Sequence, residues 1–324
     1  MKSFWNDLPK PFMELAPMAD VTDPAYRKLI AETARPDVTW TEFVSADGLF
    51  HTREKKGMKD EENPLMRDLL YTEGERPIVA QFFTGTPQMM EYAARLALQK
   101  GFDGFAINMG CPDKSIEKQG AGAGHIKNPK RAREVIAAAI KGTEGRIPVT
   151  VKTRLGYNRM EYTEWLPQLL DTGIATLTLH MRTRKEMSAV PAHYELAGEI
   201  VELCRKENPE VLLSGNGDLL SVADAKEKAV LYGFDGMMLG RAIFGNPWLF
   251  AGKSPVDFSP AERMEKLRQL AQYFDELQPK KHFAILKKHF KSFISGWDGA
   301  AELRGRLMET NALDEFDAVL AGVR

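Results

Sequence analysis

An α/β chain folded as a (β/α)8 TIM barrel, followed by a small C-terminal α-helical domain, is predicted by three features of the sequence. Short apolar, β-branched runs alternate with longer helical stretches over roughly the first 245 residues. Most of these runs are apolar at successive positions, as expected of parallel strands covered on both faces. The first run ends in Ala16-Pro17-Met18-Ala19, without the glycine fingerprint that an open doubly wound sheet carries at that point. Eight βα repeats at this length suit a closed barrel. The barrel is assigned to residues 1–250 and the helical domain to residues 251–324.

The strands are expected at residues 12–17, 38–44, 78–83, 104–109, 149–154, 176–182, 211–215 and 236–240. Helix starts lie between them. Thr86-Pro87 and Asn128-Pro129 each place proline at the first helical position, and Ser221 can cap the segment through Leu231. Residues 45–76 form a long charged insertion after the second strand, and residues 251–258 read as a linker. Beyond it, Ser259-Pro260-Ala261-Glu262 is a capping box, and Gly296 and Gly299 separate later helices.

Composition narrows the function classes. The chain has 324 residues, 44% of them hydrophobic, a formal net charge of −1 and two cysteines. No apolar run approaches twenty residues, and the first residues lack a signal-peptide stretch, so a cytoplasmic protein without a membrane anchor is expected. Two cysteines without motif spacing fit a reducing compartment and suggest neither a disulfide framework nor a metal site. A monomer is expected. A near-neutral charge means that any nucleic-acid surface must be a local patch.

Chemistry collects where the strands end. Strand 1 ends at Pro17, Met18 and Ala19, strand 3 carries Gln81, and strand 4 ends at Asn108 with Cys111 just beyond. Strand 5 carries Lys152 and Arg154, and strand 6 ends with His180 and Arg182, with Arg184 two residues on. Strands 7 and 8 are followed by Asn216-Gly217-Asp218 and Gly240-Arg241, the usual phosphate site of a barrel. A phosphate-bearing cofactor is therefore expected. Lys152 and His180 sit in apolar strands, where their polar groups need partners. A cation there would stabilise a reduced flavin, with Gln81 and Asn108 bonding other polar atoms of the ring; a Schiff-base lysine is the alternative. Cys111 has three readings: a nucleophile, a general acid, or a small apolar filler. Its loop position, ahead of Gly120-Ala121-Gly122-Ala123-Gly124, favours chemistry, with the glycines as hinges of a lid. Cys204, in a helical stretch, is core.

In the helical domain, residues 280–291 hold five lysines and no acid. Phe283, Leu286, Phe290 and Phe293 share one helical face, and Lys280, Lys287 and Lys291 another. With Lys288 this forms a local basic patch suited to a phosphate backbone.

Taken together, these pieces resemble the tRNA-dihydrouridine synthases. The resemblance runs from residues 15–23 through Gln81-Phe82-Phe83-Thr84-Gly85 and Asn108-Met109-Gly110-Cys111-Pro112. It continues with Val151-Lys152-Thr153-Arg154-Leu155-Gly156, His180-Met181-Arg182-Thr183-Arg184, Gly215-Asn216-Gly217-Asp218 and Gly240-Arg241-Ala242. It implies an FMN-bound barrel that reduces the 5,6 double bond of uridines in tRNA, with NADPH or NADH as reductant. By the same resemblance Pro17, Met18 and Ala19 line the flavin, and Gln81, Asn108, Lys152 and His180 contact its ring system. Asn216, Gly217, Asp218, Gly240 and Arg241 hold its phosphate end. Cys111 gives a proton to C5 of uracil while hydride from flavin N5 goes to C6. Arg154, Arg182 and Arg184 are expected at the RNA-facing mouth, and Lys287, Lys288 and Lys291 on the tRNA backbone. The chain departs from the family after His180, with Met181 in place of a glycine and Ala192-His193-Tyr194-Glu195 in place of Ala-Asp-Trp. Three competitors share parts of this pattern: an FMN reductase of free pyrimidines, a barrel aldolase using Lys152, and an RNA-binding protein without catalysis.

Overall fold

The computed structural model describes residues 3–322. Its eight strands are β1 (Phe12–Leu15), β2 (Thr39–Ser45), β3 (Ile78–Phe83), β4 (Gly104–Met109), β5 (Val149–Arg154), β6 (Thr176–His180), β7 (Leu212–Asn216) and β8 (Gly236–Leu239). All neighbours pair in parallel, in the order β1-β8-β7-β6-β5-β4-β3-β2. The two free edges meet where Glu14 bridges Val38. There the Leu15 N–H donates to the Val38 carbonyl at 3.1 Å, closing the barrel.

Side chains alternate across a strand, so residues two apart face the same side. This places the chemistry on top of an apolar plug. Trp5, Phe12, Trp40, Val79, Ala106, Leu212 and Met238 form the interior cluster. Two residues further along the strands come Glu14, Gln81, Asn108 and Ser214. Glu14 is fully buried, accepting from Trp40 Nε1 at 2.8 Å and from the Ser214 hydroxyl. Burial pushes its carboxyl up to about 7, against the pull of those two hydrogen bonds. The larger core lies between strands and outer helices and continues into the helical domain.

Helix starts follow their sequence signals. Asn128 Oδ1 accepts from the Arg131 N–H at 3.1 Å, Ser221 Oγ from the Asp224 N–H at 3.1 Å, and Ser259 with Glu262 makes both bonds of the capping box. The insertion after β2 is folded, with helix Ala46–Phe50, a wide turn at His51–Lys55 and a short helix at Pro64–Arg67.

The helical domain contains Pro260–Glu276, Lys287–Phe293, Ala300–Glu309 and Leu313–Ala321. The basic run differs from the single helix expected of it. The α-helix begins only at Lys287, after one 3-10 turn at Phe283–Ile285. The apolar face survives, because Leu286, Phe290 and Phe293 are buried. The lysine stripe is interrupted, because Lys280 lies ahead of the helix that carries Lys287 and Lys291. Lys281 leaves the solvent for a cluster of barrel acids, with its Nζ 3.5 Å from Asp23, 3.2 Å from Glu42 and 3.5 Å from Asp68. Lys280 pairs with Asp275 and Lys288 with Asp20.

Candidate active site

Two hollows open at the C-terminal end of the barrel. The larger, about 640 Å³, is lined by Met18, Asn216, Gly217, Asp218, Gly240 and Arg241 among others. The smaller, about 270 Å³, is lined by Ala19, Phe43, Asn108, Gly110, Cys111 and Thr153. Pro17, Pro112, Lys152, Arg154 and His180 line both, so the two form one continuous cleft. Strand register brings these groups together: Asn108 lies beside Lys152, Arg154 beside His180, and His180 beside Asn216.

Asn108 organises the cysteine loop. Its Oδ1 accepts the N–H of Gly110 at 3.1 Å and of Cys111 at 2.8 Å, and its Nδ2 donates to Gln81 Oε1 at 2.9 Å. Gln81 is fully buried, and its Nε2 has no partner in the protein. A buried donor left in this way points to an acceptor that the protein does not itself provide.

Lys152 Nζ donates to Asn216 Oδ1 at 3.0 Å, and Asn216 Nδ2 donates to the Met238 carbonyl at 2.7 Å. Burial first, and then the Arg154 guanidinium, push the Lys152 ammonium down to about 7. His180 is held well below 6.5 by burial and by the positive charges of Arg154, Lys152, Arg182 and Arg241. Its Nδ1 lies 3.2 Å from Arg154 Nη1. A guanidinium can only donate, so Nδ1 accepts and the neutral ring carries its proton on Nε2.

At the far end, Asp218 accepts from Arg182, from Arg241 and from the Ala192 N–H at 2.8 Å. Its expected role changes accordingly. A carboxylate repels phosphate, and here it aims two guanidinium groups. Gly217 stands at φ +123, a backbone conformation that favours glycine, and a Cβ there would press on Ala192 Cβ at 3.1 Å.

The Cys111 thiol is partly buried on its loop. Burial pushes it above its ordinary pKa; the hydrogen bond from the Asp113 backbone and the Arg154 guanidinium pull the other way, while the Asp113 and Glu117 carboxylates add to the rise. It is therefore a protonated thiol at neutral pH. The hinge expectation for the glycine run fails. Residues 121–126 are buried, and the Ala123 N–H donates to the Cys111 carbonyl at 2.9 Å. Gly122, at φ +56, lies so close that a Cβ would sit 2.8 Å from that carbonyl. These glycines are a packed seat for the cysteine.

The arginines expected at the mouth are largely engaged within the chain. Arg154 is 9% exposed, and its Nε donates to the Gly110 carbonyl at 2.7 Å. Arg182 is 2% exposed and donates to the Val190 carbonyl at 2.6 Å. Arg184 pairs with Glu117. Lys287, Lys288 and Lys291 lie on the helical domain. Lys287 Nζ donates to the Met308 carbonyl at 2.7 Å, and Lys288 Nζ lies 3.0 Å from Asp20. Met187 and Ser188, in the unusual segment expected near the substrate entrance, line the larger hollow. Sequence reasoning missed Phe43 and Glu117: Phe43 follows an acid in β2, and the part Glu117 plays depends on how distant loops meet.

The family described as dihydrouridine synthase (Dus) matches residues 14–323. A probable tRNA-dihydrouridine synthase 2 of Bacillus subtilis is 40% identical over 98% of this chain and 96% of its own length. A probable tRNA-dihydrouridine synthase of Staphylococcus aureus is 38% identical over 98% of this chain and 95% of its own. Among solved structures, histamine dehydrogenase from Rhizobium sp. 4-9 has a TM-score of 0.51 at 12% identity, covering 82% of this chain and 49% of that one. The 6-hydroxypseudooxynicotine amine oxidase of Pseudomonas geniculata N1 has the same TM-score and identity, covering 77% of this chain and 49% of that one. These two support the barrel fold alone, and the chain spans about half the length of each. Among the described residues no helix is long and apolar enough to cross a membrane. With a family match over nearly its whole length and relatives near 40% identical over 98% of the chain, this chain belongs to the dihydrouridine synthases.

Proposed function

We propose that this chain reduces the C5–C6 bond of uridines in tRNA to 5,6-dihydrouridine, with FMN as its bound cofactor and NADPH or NADH as reductant. The observation that carries the reading is a protonated thiol, Cys111, in a hollow continuous with a longer cleft that ends between Arg182 and Arg241.

The residues present fit a flavin mononucleotide. Gln81 Nε2 is an orphaned buried donor, and Lys152 and Asn108 add donors along one wall. Lys152, His180 and Asn108 would hold the ring, and Pro17, Met18 and Ala19 would pack on it. Gly217, Gly240 and Arg241, with Arg182 and Asp218 behind them, would hold the phosphate end. The flavin supplies the hydride when bound.

The chain's own residues do the rest. Negative charge builds at C5 and the C4 carbonyl of uracil once C6 has gained a hydride. Cys111 holds a proton on Sγ and gives it to C5. A thiol kept protonated by burial suits that task better than a thiolate would. Asn108 fixes the loop through both backbone N–H groups, so the thiol keeps its position. The target base must leave the RNA stack to reach this depth. Lys287, Lys288 and Lys291 contribute local positive potential for tRNA, the first two while also holding contacts within the chain.

The purified protein is expected to show flavin absorbance and to form dihydrouridine in unmodified tRNA when NADPH is added. Cys111→Ala is expected to keep its flavin and its tRNA affinity but to lose about 10²–10⁴-fold in turnover. Absence of flavin bands after reconstitution with FMN, or undiminished turnover by the variant, would overturn this reading.

A further inference from the structure

Arg184 has the composition of an RNA contact and the geometry of something else. Its guanidinium grips the Glu117 carboxylate with two nitrogens: Nε meets Oε1, and Nη2 lies 2.6 Å from Oε2. Nη2 also donates to the Pro112 carbonyl at 3.3 Å, one residue after Cys111. Tyr157 completes the arrangement, donating its hydroxyl to Glu117 Oε2 at 3.1 Å while its ring lies 5.3 Å below the Arg184 guanidinium. The arginine backbone is held too, its N–H donating to the Gly156 carbonyl at 2.8 Å.

Glu117 ends the short helix Lys114–Glu117 that follows Cys111, and the Ile116 beside it packs on Phe83 and Ala121 near the thiol. Arg184 belongs to the loop after β6, whose Met187 and Ser188 line the cleft. The pair therefore joins two walls of the cleft across 67 positions of sequence. Its side chains are only 17% and 8% exposed. A bidentate pair so shielded is shorter and stronger than a surface pair and fixes direction as well as distance.

We propose that Glu117 and Arg184 are positioning residues, a latch that holds the Cys111 loop against the β6 loop and sets the thiol for proton delivery. Arg184 acts on the reaction through Glu117, and its charge is spent there and not on RNA phosphate. The assignment rests on Cys111 as the acid. The latch also shapes the thiol's charge environment. Cys111 faces Asp113 on its own loop, Glu117 on the next helical turn, and Lys152 and Arg154 on β5. Arg184 neutralises Glu117 in that set.

The test reads Cys111 directly in the full-length protein, as its iodoacetamide alkylation rate against pH, with the buried Cys204 as internal reference. Glu117→Gln leaves a guanidinium unpaired near the thiol, so the titration midpoint should fall and alkylation at pH 8 should speed up several-fold. Arg184→Met leaves a carboxylate unpaired, so the midpoint should rise. The double variant removes both charges, so its midpoint should return close to that of the unaltered protein. In all three, kcat for uridine reduction should drop on the order of tenfold or more through lost positioning, with flavin content and KM for tRNA little changed. An unaltered alkylation profile in all three variants would overturn the latch. A rise in KM for tRNA at constant kcat in Arg184→Met would also overturn it and make the residue an RNA contact. Failure of Cys111 as the acid is separable: Cys111→Ala would then turn over normally, while the alkylation shifts would still stand.

Discussion

Lys152 carries its charge at a cost, because its ammonium is desolvated and faces Arg154, with Asn216 as its hydrogen-bonded partner. Its pKa in the folded chain, about 7, lies below the ordinary 10.5. The unfolded chain thus binds more protons between those values, and stability rises with pH across that window. Lys152→Met removes this dependence. The variant without flavin should be more stable than the unaltered protein at and below pH 7, with the gain fading as pH climbs toward 10. Urea denaturation of both proteins at pH 6, 8 and 9.5 checks it, and a constant difference would contradict the assignment. With flavin bound, the same variant should shift the flavin midpoint potential to more negative values, because a cation beside the reduced ring is lost. At this scale the sequence was informative about residue type and strand end. It was silent about pairing. Asp218, Arg182 and Arg184 were legible as polar groups near the site, but each one's work depends on a partner from another loop.

The element that matters most is the segment from Asn108 to Lys127. A strand end, a four-residue helix and a 3-10 helix (Gly122–Lys127) are folded into a seat for one thiol. Glycines in a loop are legible as freedom, and a hinge is the natural inference. Packing reverses it here: Gly122 is required because the backbone turns left-handed with the Cys111 carbonyl close against it. Gly122→Ala should therefore destabilise the protein by more than about 1 kcal/mol, and Cys111 alkylation should change with it. Equal thermal midpoints for variant and unaltered protein would show that the segment can give way. The basic run of residues 280–291 was misread for a related reason. Helical periodicity assumes a helix throughout, whereas within this run residues 280–282 are not helical, Phe283–Ile285 is a 3-10 turn and the α-helix begins only at Lys287.

Over the whole molecule, the helical domain is fastened to the barrel by a buried charge. Lys281 reaches Asp23, Glu42 and Asp68, and Glu42 in turn accepts the N–H of Asp20 next to the Pro17-Met18-Ala19 wall of the cleft. Burial works against the Lys281 charge, but the three carboxylates outweigh it and raise its pKa. Burial pushes Glu42 up to about 7, against the attraction of Lys281. Lys281→Met strands the acids, a loss of about 3–5 kcal/mol. The loss should be larger at pH 8 than at pH 6, because protonation of Glu42 relieves the repulsion at the lower pH. Chemical denaturation at the two pH values measures it, and a pH-independent loss would show that the cluster is not coupled.

The sequence by itself determined the barrel, the order of its strands, the helix starts and the residue types at the strand ends. These depend on local rules: apolar runs for parallel strands, proline and capping residues for helices, and glycine with basic residues where an anion can sit. Only the tertiary structure decided which charges remain free. Lys281 and Arg184 are basic residues in basic surroundings when read along the chain. Folding places a carboxylate from a distant segment against each. Coulomb attraction in a desolvated site depends on distance in space, and neighbours in sequence do not reveal it.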